Sequence, residues 1–409
     1  MQSLKRRLVL GFTVFAMFFG AGNLIFPSFL AYQAGGDVIP AFIGFALSAT
    51  LLPTLAIIAV TRTGSLEKLA NRVHPVFSRI LTIIVYLVIG PLLAVPRTAS
   101  TSYEMVAIAT KTDSGIAAFV YSALFFTLAG LVALKPEKLS SRLGKISSPL
   151  LILLIILLFA GTLLNPDAGS GNGTGVYSSS PLSRGFTEGY QTMDAVAGLV
   201  FGSIIAMNVR KNGAKEENVN KECFIAAFTG GFLLLAVYCA LAVTGALSQA
   251  FVSNASNGAA ILAAAADAIS PSMGKILIAA IFILACFNTC TGLLSSCGQY
   301  FSTLIPSLSR GKWIAVFSLI SLLIATAGLD TIVKISSPVL EIIYPAALTL
   351  MILALLPQKN NYRFAWILPV STSLVFSIVS TAAGISFLWV VPVIVAAAAG
   401  IFIDRRKAA

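Results

Sequence analysis

Phe18-Phe19-Gly20-Ala21-Gly22-Asn23 stands in the middle of an apolar run from about Leu8 to Tyr32. Two glycines two apart, followed by an amide, are poor helix formers where a membrane helix should continue. Backbone that leaves the helix at bilayer depth has to be buried in protein or line a wet cavity, because lipid satisfies neither N–H nor C=O. The freed groups then have a use. N–H groups near Ala21, Gly22 and Asn23 face an anion, and C=O groups near Ala16 and Phe19 face a cation. That is the chemistry of a substrate and ion site in a transporter.

Four charged residues fall inside other apolar segments, where each costs at least about 2.5 kcal/mol and has to be paired or functional. Arg97 lies in Ala94-Val-Pro-Arg-Thr-Ala. Glu104, seven residues on, is near the same helix face and is expected to share a water-linked network with it. Asp194 ends Gly189-Tyr-Gln-Thr-Met-Asp, and Glu341 sits between Pro338 and Pro345. Two readings stand beside each other for Arg97, Glu104 and Glu341: a buried pair that fixes helix register, or a coupling and gating role. Asp194 is expected one turn before a second helix break around Gly198–Gly202, and that position favours coupling. A later segment supplies Asn288 and Thr289, candidates to complete a sodium shell with carbonyls of the first segment, since hard cations prefer oxygen. The bland alternative is that such hydroxyls bond their own helix at i−4.

The elements that position these groups follow from composition. The chain has 409 residues, 57% hydrophobic and 10% charged, with a mean hydropathy of +0.93; this is an all-α polytopic membrane protein. A span needs roughly 20 apolar residues. Twelve segments qualify, at about 8–32, 38–61, 76–109, 114–134, 144–164, 189–209, 219–248, 273–305, 313–329, 332–356, 362–383 and 386–403. The net charge of +12 does not point to nucleic acid. Of the 27 Lys and Arg, all except Arg97, Lys111, Arg184, Lys275 and Lys334 fall in alternate loops or at the termini. That is the positive-inside pattern, with both termini cytoplasmic. The first segment runs beyond a signal-peptide core and is read as an uncleaved helix. Residues 165–188 read as a flexible extracellular connection, and Ala259–Ala268 as a short helix capping the outer side. His74 reads as a solvated loop residue. The five cysteines lie in apolar segments and read as packing residues, so no metal centre and no cofactor is expected.

Segments one and six share Phe-Gly-small, in Phe19-Gly20-Ala21 and Phe201-Gly202-Ser203. A broken helix opening each five-helix half points to an inverted repeat with its site at the midplane; glycines that merely pack helices closely are the competing explanation. The corresponding domains are 1–164 (first repeat), 165–188 (outer loop), 189–357 (second repeat) and 358–409 (two further helices and a tail).

Phe18-Phe-Gly-Ala-Gly-Asn-Leu-Ile-Phe-Pro27, Gly90-Pro91 with Pro96-Arg-Thr98, Tyr103-Glu104 and Gly189-Tyr-Gln-Thr-Met-Asp194 occur in order along the whole chain. Together they resemble the bacterial branched-chain amino acid:cation symporters of the BrnQ type. The resemblance implies a LeuT-like fold of two inverted five-helix repeats, with helices one and six broken and two helices added. It implies uptake of leucine, isoleucine and valine with sodium, or protons, across a bacterial cytoplasmic membrane. The substrate carboxylate would meet the N–H groups of Ala21 and Gly22, within a site of Phe18, Gly20, Ala21, Gly22, Asn23, Gly198, Val200, Phe201 and Gly202. The ammonium group would meet carbonyls near Phe18 and Gly198–Phe201. Sodium would meet the carbonyls of Ala16, Phe19 and Ala285 and the side chains of Asn288 and Thr289. The family pattern has two hydroxyl residues where this chain has Asn288-Thr289, which leaves the identity of the ion open. A second sodium is not expected, because its helix-six hydroxyl partner falls on Val196.

Other classes fare worse. A channel needs rings of polar side chains, and an intramembrane hydrolase needs a motif such as HExxH or a Ser–His pair in the spans. A transporter of another small neutral amino acid with the same fold stays open. The partners expected are a small amino acid and the bilayer, with no obligate protein partner.

Overall fold

The computed structural model of the chain describes residues 2–135, 140–211, 214–356 and 362–408. Lys138 and Lys359, counted among the inner basic residues, lie outside the described residues, as does the domain boundary at 357–358. Among the described residues the regular structure is entirely helical.

Each of the twelve apolar segments carries helix. The first is split into α1 (Gln2–Phe18) and α2 (Ala21–Ala34). The second is α3 (Val38–Ala46) and α4 (Leu52–Thr63), joined by a π-helical turn at Leu47–Leu51. After the short α5 (Leu66–Ala70), the third passes from α6 (Pro75–Leu87) through another π-helical turn, Val88–Leu92, into α7 (Ala94–Thr110). The fourth and fifth are α8 (Gly115–Ala133) and α9 (Ser148–Leu164). The sixth is again two pieces, α10 (Pro181–Tyr190) and α11 (Asp194–Lys211), and α12 (Glu216–Leu247) is the seventh. The short outer helix is α13 (Gly258–Ile269). The remainder are α14 (Met273–Leu304), α15 (Arg310–Ala325), α16 (Leu329–Leu355), α17 (Phe364–Ala383) and α18 (Val390–Ala408).

Among the described residues, eight helical runs can cross a bilayer by length and apolar composition, and α10 with α11 form a ninth as a bent pair. The run Ala21–Thr63 counts once in that total but holds parts of two segments. Gly35, at φ 54° and ψ −121°, turns the chain between α2 and α3 in a conformation that only glycine adopts cheaply. The outward faces of the bundle are apolar: Ile116, Val120, Leu124 and Leu131 of α8 are all exposed. A surface of this kind is stable only against lipid.

Two expectations need correcting here. Residues 165–188 are not one loop, because Pro181, at the first turn of α10, starts the sixth span eight residues early. Its Ser-Arg-Gly composition disguised a helix whose start Pro favours. His74 is an exposed connection residue, as expected, and it also caps α6, its Nδ1 accepting from Val76 N–H at 3.2 Å. The larger correction concerns helix six. It is broken, but at Gln191–Met193, where α10 and α11 meet at 44°. Through Gly198–Gly202 the helix is continuous.

Those two glycines face α4. A Cβ on Gly198 would stand 2.8 Å from Pro53 O and 2.9 Å from Ala56 Cβ, and one on Gly202 would stand 3.0 Å from Val60 Cβ. Spaced four apart, they let two helices approach closely, which is the usual work of small residues in membranes. Gly198→Val is therefore expected to overpack α4, costing about 1–3 kcal/mol. The check is a lower thermal midpoint in detergent with an unaltered pattern of bound solutes.

At the end of the bundle that carries the N-terminus, α1 is tied to its neighbours by charge. Arg6 Nη2 donates to Val209 O at 3.2 Å. The Arg7 guanidinium grips Glu222 of α12 in two-pronged fashion, Nη2 to Oε1 at 2.6 Å and Nε at 3.1 Å. Nearby, Arg210 bonds Glu216 at 2.7 Å and holds that carboxyl below its ordinary range.

Candidate functional site

The break in helix one spans Phe19 and Gly20. Gly20 is extended, at φ −128° and ψ −154°, and its N–H turns forward to Asn23 Oδ1 at 3.0 Å instead of back to Ala16 C=O. No backbone bond runs from Ala21, Gly22 or Asn23 back to Met17, Phe18 or Phe19 among the described residues. The break therefore leaves donors at the start of α2 and acceptors at the end of α1, with the helix dipoles adding partial charge of matching sign.

The second break is made differently. The Gln191, Thr192 and Met193 N–H groups fold back on Glu188, Gly189 and Tyr190 carbonyls, closing a tight turn. Met193 then takes φ 65°, which is uncommon for a residue with a side chain. Asp194 starts α11 directly after it. The two breaks meet where Asn23 Nδ2 donates to Asp194 Oδ2, and two turns further along α11 the Phe201 ring touches Phe18 edge to face at 5.5 Å.

Between them lies a small cavity of about 20 Å³. Its apolar wall is Met17, Phe18, Ile89, Ala94, Met193, Ala197, Phe201 and Leu293, and its polar lining includes Arg97, Thr98, Thr192, Asp194, Asn23 and Thr289 around the Gly20-Ala21-Gly22 backbone. Every lining residue except Thr289 is buried. The volume holds about one water and no more.

Asp194, 2% exposed, is held by three elements. Asn23 Nδ2 donates to its Oδ2 and also to Tyr238 OH, and Tyr238 OH of α12 donates to the same Oδ2 at 3.0 Å. One carboxylate oxygen thus links both broken helices to α12. Arg97, 3% exposed, has no acidic oxygen within ion-pair distance among the described residues. Its Nη1 donates instead to Gln191 O at the helix-six break, at 2.8 Å. Its guanidinium lies over the Phe26 ring, 5.7 Å from the centroid.

Phe18, Gly20, Ala21, Gly22, Asn23, Phe201, Arg97, Asp194 and Thr289 thus share one cavity. Val200 is buried off it, Gly198 and Gly202 face α4, and the carbonyls of 198–201 belong to a continuous helix. The acceptor left over at the second break is Thr192 C=O. Glu104 does not join Arg97. It lines a separate chamber of about 670 Å³ with Tyr103, Lys111, Asp113, Ser122 and Asp330, 3.5 Å from Asn257 Nδ2 at the start of α13. Glu341 is half-buried, one turn before Tyr344, whose ring stacks on Tyr190 at 4.2 Å. Gln191, Thr192, Met193 and Tyr238 were not singled out in the sequence. The motif ending at Asp194 was the one signal for the first three, and Tyr238 had none.

Of the residues suggested for sodium, Thr289 and the carbonyls of Ala16 and Phe19 carry oxygen left unbonded among the described residues, while the oxygens of Asn288 and Ala285 are engaged. Thr289 Oγ1 is buried without a hydrogen-bond partner and lies against the break, 2.8 Å from where a Cβ on Gly20 would be. Asn288 accepts from Ser147 Oγ at 2.7 Å, and its Nδ2 is unpartnered. Turned over, that amide would donate to Ser147 and present its oxygen instead. The carbonyls of Ala16 and Phe19 have lost their helical donors. Ala285 lies in the intact α14, one turn before Thr289, so only its second lone pair is free.

Residues 3–407 match the family described as "Branched-chain amino acid transport protein". The branched-chain amino acid permease BraB of Bacillus subtilis is 37% identical over 363 residues, 88% of this chain and 82% of that protein. The permease BrnQ of Corynebacterium glutamicum is 35% identical over 423 residues, 99% and 97% of the two chains. Among solved structures, Mhp1, a nucleobase-cation-symport-1 family transporter in a closed conformation with bromovinylhydantoin bound, superposes with a TM-score of 0.63 at 16% identity. The match covers 98% of this chain and 92% of that one. At that identity the likeness is one of fold, the LeuT-like fold.

Proposed function

This chain belongs to the branched-chain amino acid transport protein family, a family of transporters and not of enzymes, and from that premise we propose that it imports leucine, isoleucine and valine together with a cation. The observation that carries the reading is the meeting of two helix breaks around one buried cavity, with an apolar wall and one charge of each sign. The apolar wall suits an aliphatic side chain. Such a pocket separates homologous side chains by only about 1–3 kcal/mol, so all three amino acids are substrates.

Sodium is the coupling ion in this reading, held by Thr289, Asn288 and the freed carbonyls of Ala16 and Phe19. Ion and substrate together bridge α1, α2, α11 and α14 and favour the closed state over states open to either side. A ligand shifts such an equilibrium only by its differential affinity, and alternating access follows from it. The chain sits in a bacterial cytoplasmic membrane with both termini inside, as its loop charges require.

The test is uptake of labelled leucine by proteoliposomes under a sodium gradient or an equal choline gradient. The sodium gradient is expected to raise the initial rate about tenfold. Thr289→Ala is expected to abolish that stimulation, because it removes one of few side-chain oxygens at the site. Uptake indifferent to every ion gradient rejects coupling. Uptake driven by a proton gradient alone favours Asp194 as the coupling group. Unlabelled alanine or threonine competing better than isoleucine reassigns the substrate.

A further inference from the structure

Arg97 is a buried cation with most of its hydrogen-bonding capacity unused. A guanidinium carries five N–H donors, yet among the described residues only Nη1 is bonded, to the Gln191 carbonyl. Nη2 lies over Gly22, 2.6 Å from the position a Cβ would take there. The guanidinium therefore occupies the space in front of Gly22, where the N–H groups of Ala21 and Gly22 have no backbone acceptor. Two independent sources of positive potential, a helix start and a fixed cation, line the same cavity. Across the same cavity lies Asp194, whose Oδ2 accepts from Asn23 and Tyr238.

We propose that Arg97 is the residue that recognises the α-carboxylate of the amino acid, and that it does so by exchanging the Gln191 carbonyl for the substrate. The inference rests on the transport reading above and gives its site a specificity-determining side chain. The physical ground is a contest between two acceptors. A neutral carbonyl takes one N–H from a guanidinium, whereas a carboxylate takes two in parallel with charge assistance, and such bonds are about twice as strong. The cavity forces the exchange. At about 20 Å³ it has no room for an amino acid while the guanidinium lies over Gly22, so entry and rearrangement of Arg97 are one event. Letting go of Gln191 also removes the side-chain tie between α7 and the helix-six break, which carries the news of binding to α10 and α11.

The assignment makes the carboxylate decisive, and a set of leucine relatives reads it. Full-length protein in proteoliposomes is assayed for inhibition of labelled leucine uptake by unlabelled leucine, by leucine amide, and by 3-methylbutylamine, which lacks the carboxylate altogether. Wild type is expected to prefer leucine over the amide and the amine by at least 100-fold. In Arg97→Gln the half-saturating leucine concentration is expected to rise about 100-fold with little change for the amine, so that the preference falls to within about fivefold. Arg97→Lys, which keeps the charge and loses the fork, is expected to fall between them. It also serves as the working variant if the glutamine form is poorly inserted. A rise shared equally by leucine and the amine means that Arg97 only shapes the cavity, and overturns the assignment. An intact preference in either variant means that the α2 N–H groups suffice, and also overturns it. Absence of leucine uptake by wild type overturns the transport reading itself, a result distinguishable from both.

Discussion

Asp194→Asn is expected to lower leucine uptake at least 100-fold in proteoliposomes containing equal amounts of inserted protein. Asp194 is the acidic side chain lining the cavity, which it shares with the buried guanidinium of Arg97. Its Oδ2 accepts from both Asn23 and Tyr238. Asparagine keeps the shape but removes the charge, and one half of its head becomes a donor. Asn23 and Tyr238 then lose a charged acceptor, and a hydrogen bond to a charged group contributes about 1.5–3 kcal/mol. A 100-fold loss corresponds to about 2.8 kcal/mol, within that range. Near-normal uptake by the asparagine variant would mean that the cluster of Asn23, Asp194 and Tyr238 is a structural clamp between helices and takes no part in coupling.

Gly20→Ala is expected to cost at least 30-fold in sodium-driven uptake, about 2 kcal/mol. The reason is space and not backbone freedom, since φ −128° and ψ −154° suit any residue. A methyl group at Gly20 would stand 2.8 Å from Thr289 Oγ1 and 3.0 Å from its Cβ, pushing the ion's oxygen away from the break. Pairing the change with Thr289→Ala separates the two effects. The double variant has room again and is expected to recover its thermal midpoint, yet without the hydroxyl it stays unresponsive to sodium. A non-additive cycle of this kind measures the contact itself. Recovery of sodium stimulation in the double variant would remove Thr289 from the ion site.

Helix one was readable because its break is written in composition: Gly20, Gly22 and Asn23 have no other business in an apolar run. Helix six was misread for a physical reason. Gly198 and Gly202 are there to let α11 approach α4, and glycine for close approach looks the same in a sequence as glycine for a break. The true break depends on a turn ending at Met193 with φ 65°, a conformation held by its surroundings and carrying no compositional mark. Distance along a helix misled the reading of Glu104. Seven residues from Arg97 restores the face but advances about 10 Å, enough to leave one cavity for another. Tyr238 lies 44 residues beyond Asp194 on α12, and only the packing of that helix against the breaks brings it there. The twelve spans, by contrast, were plain in hydropathy, because lipid demands long apolar helices whatever they do.

The tie between Arg7 and Glu222 differs from everything around the cavity in one respect. Its side chains are 34% and 15% exposed, so mobile ions reach it and added salt weakens the pair, as it does any partly exposed ion pair. Arg97 and Asp194 are sealed from the same electrolyte. In the proposed cycle the two regions therefore answer to different media: raising salt on the N-terminal side is expected to loosen the tie between α1 and α12 while leaving the affinity of the buried cavity unchanged, which uptake and substrate binding measured across a salt series would check.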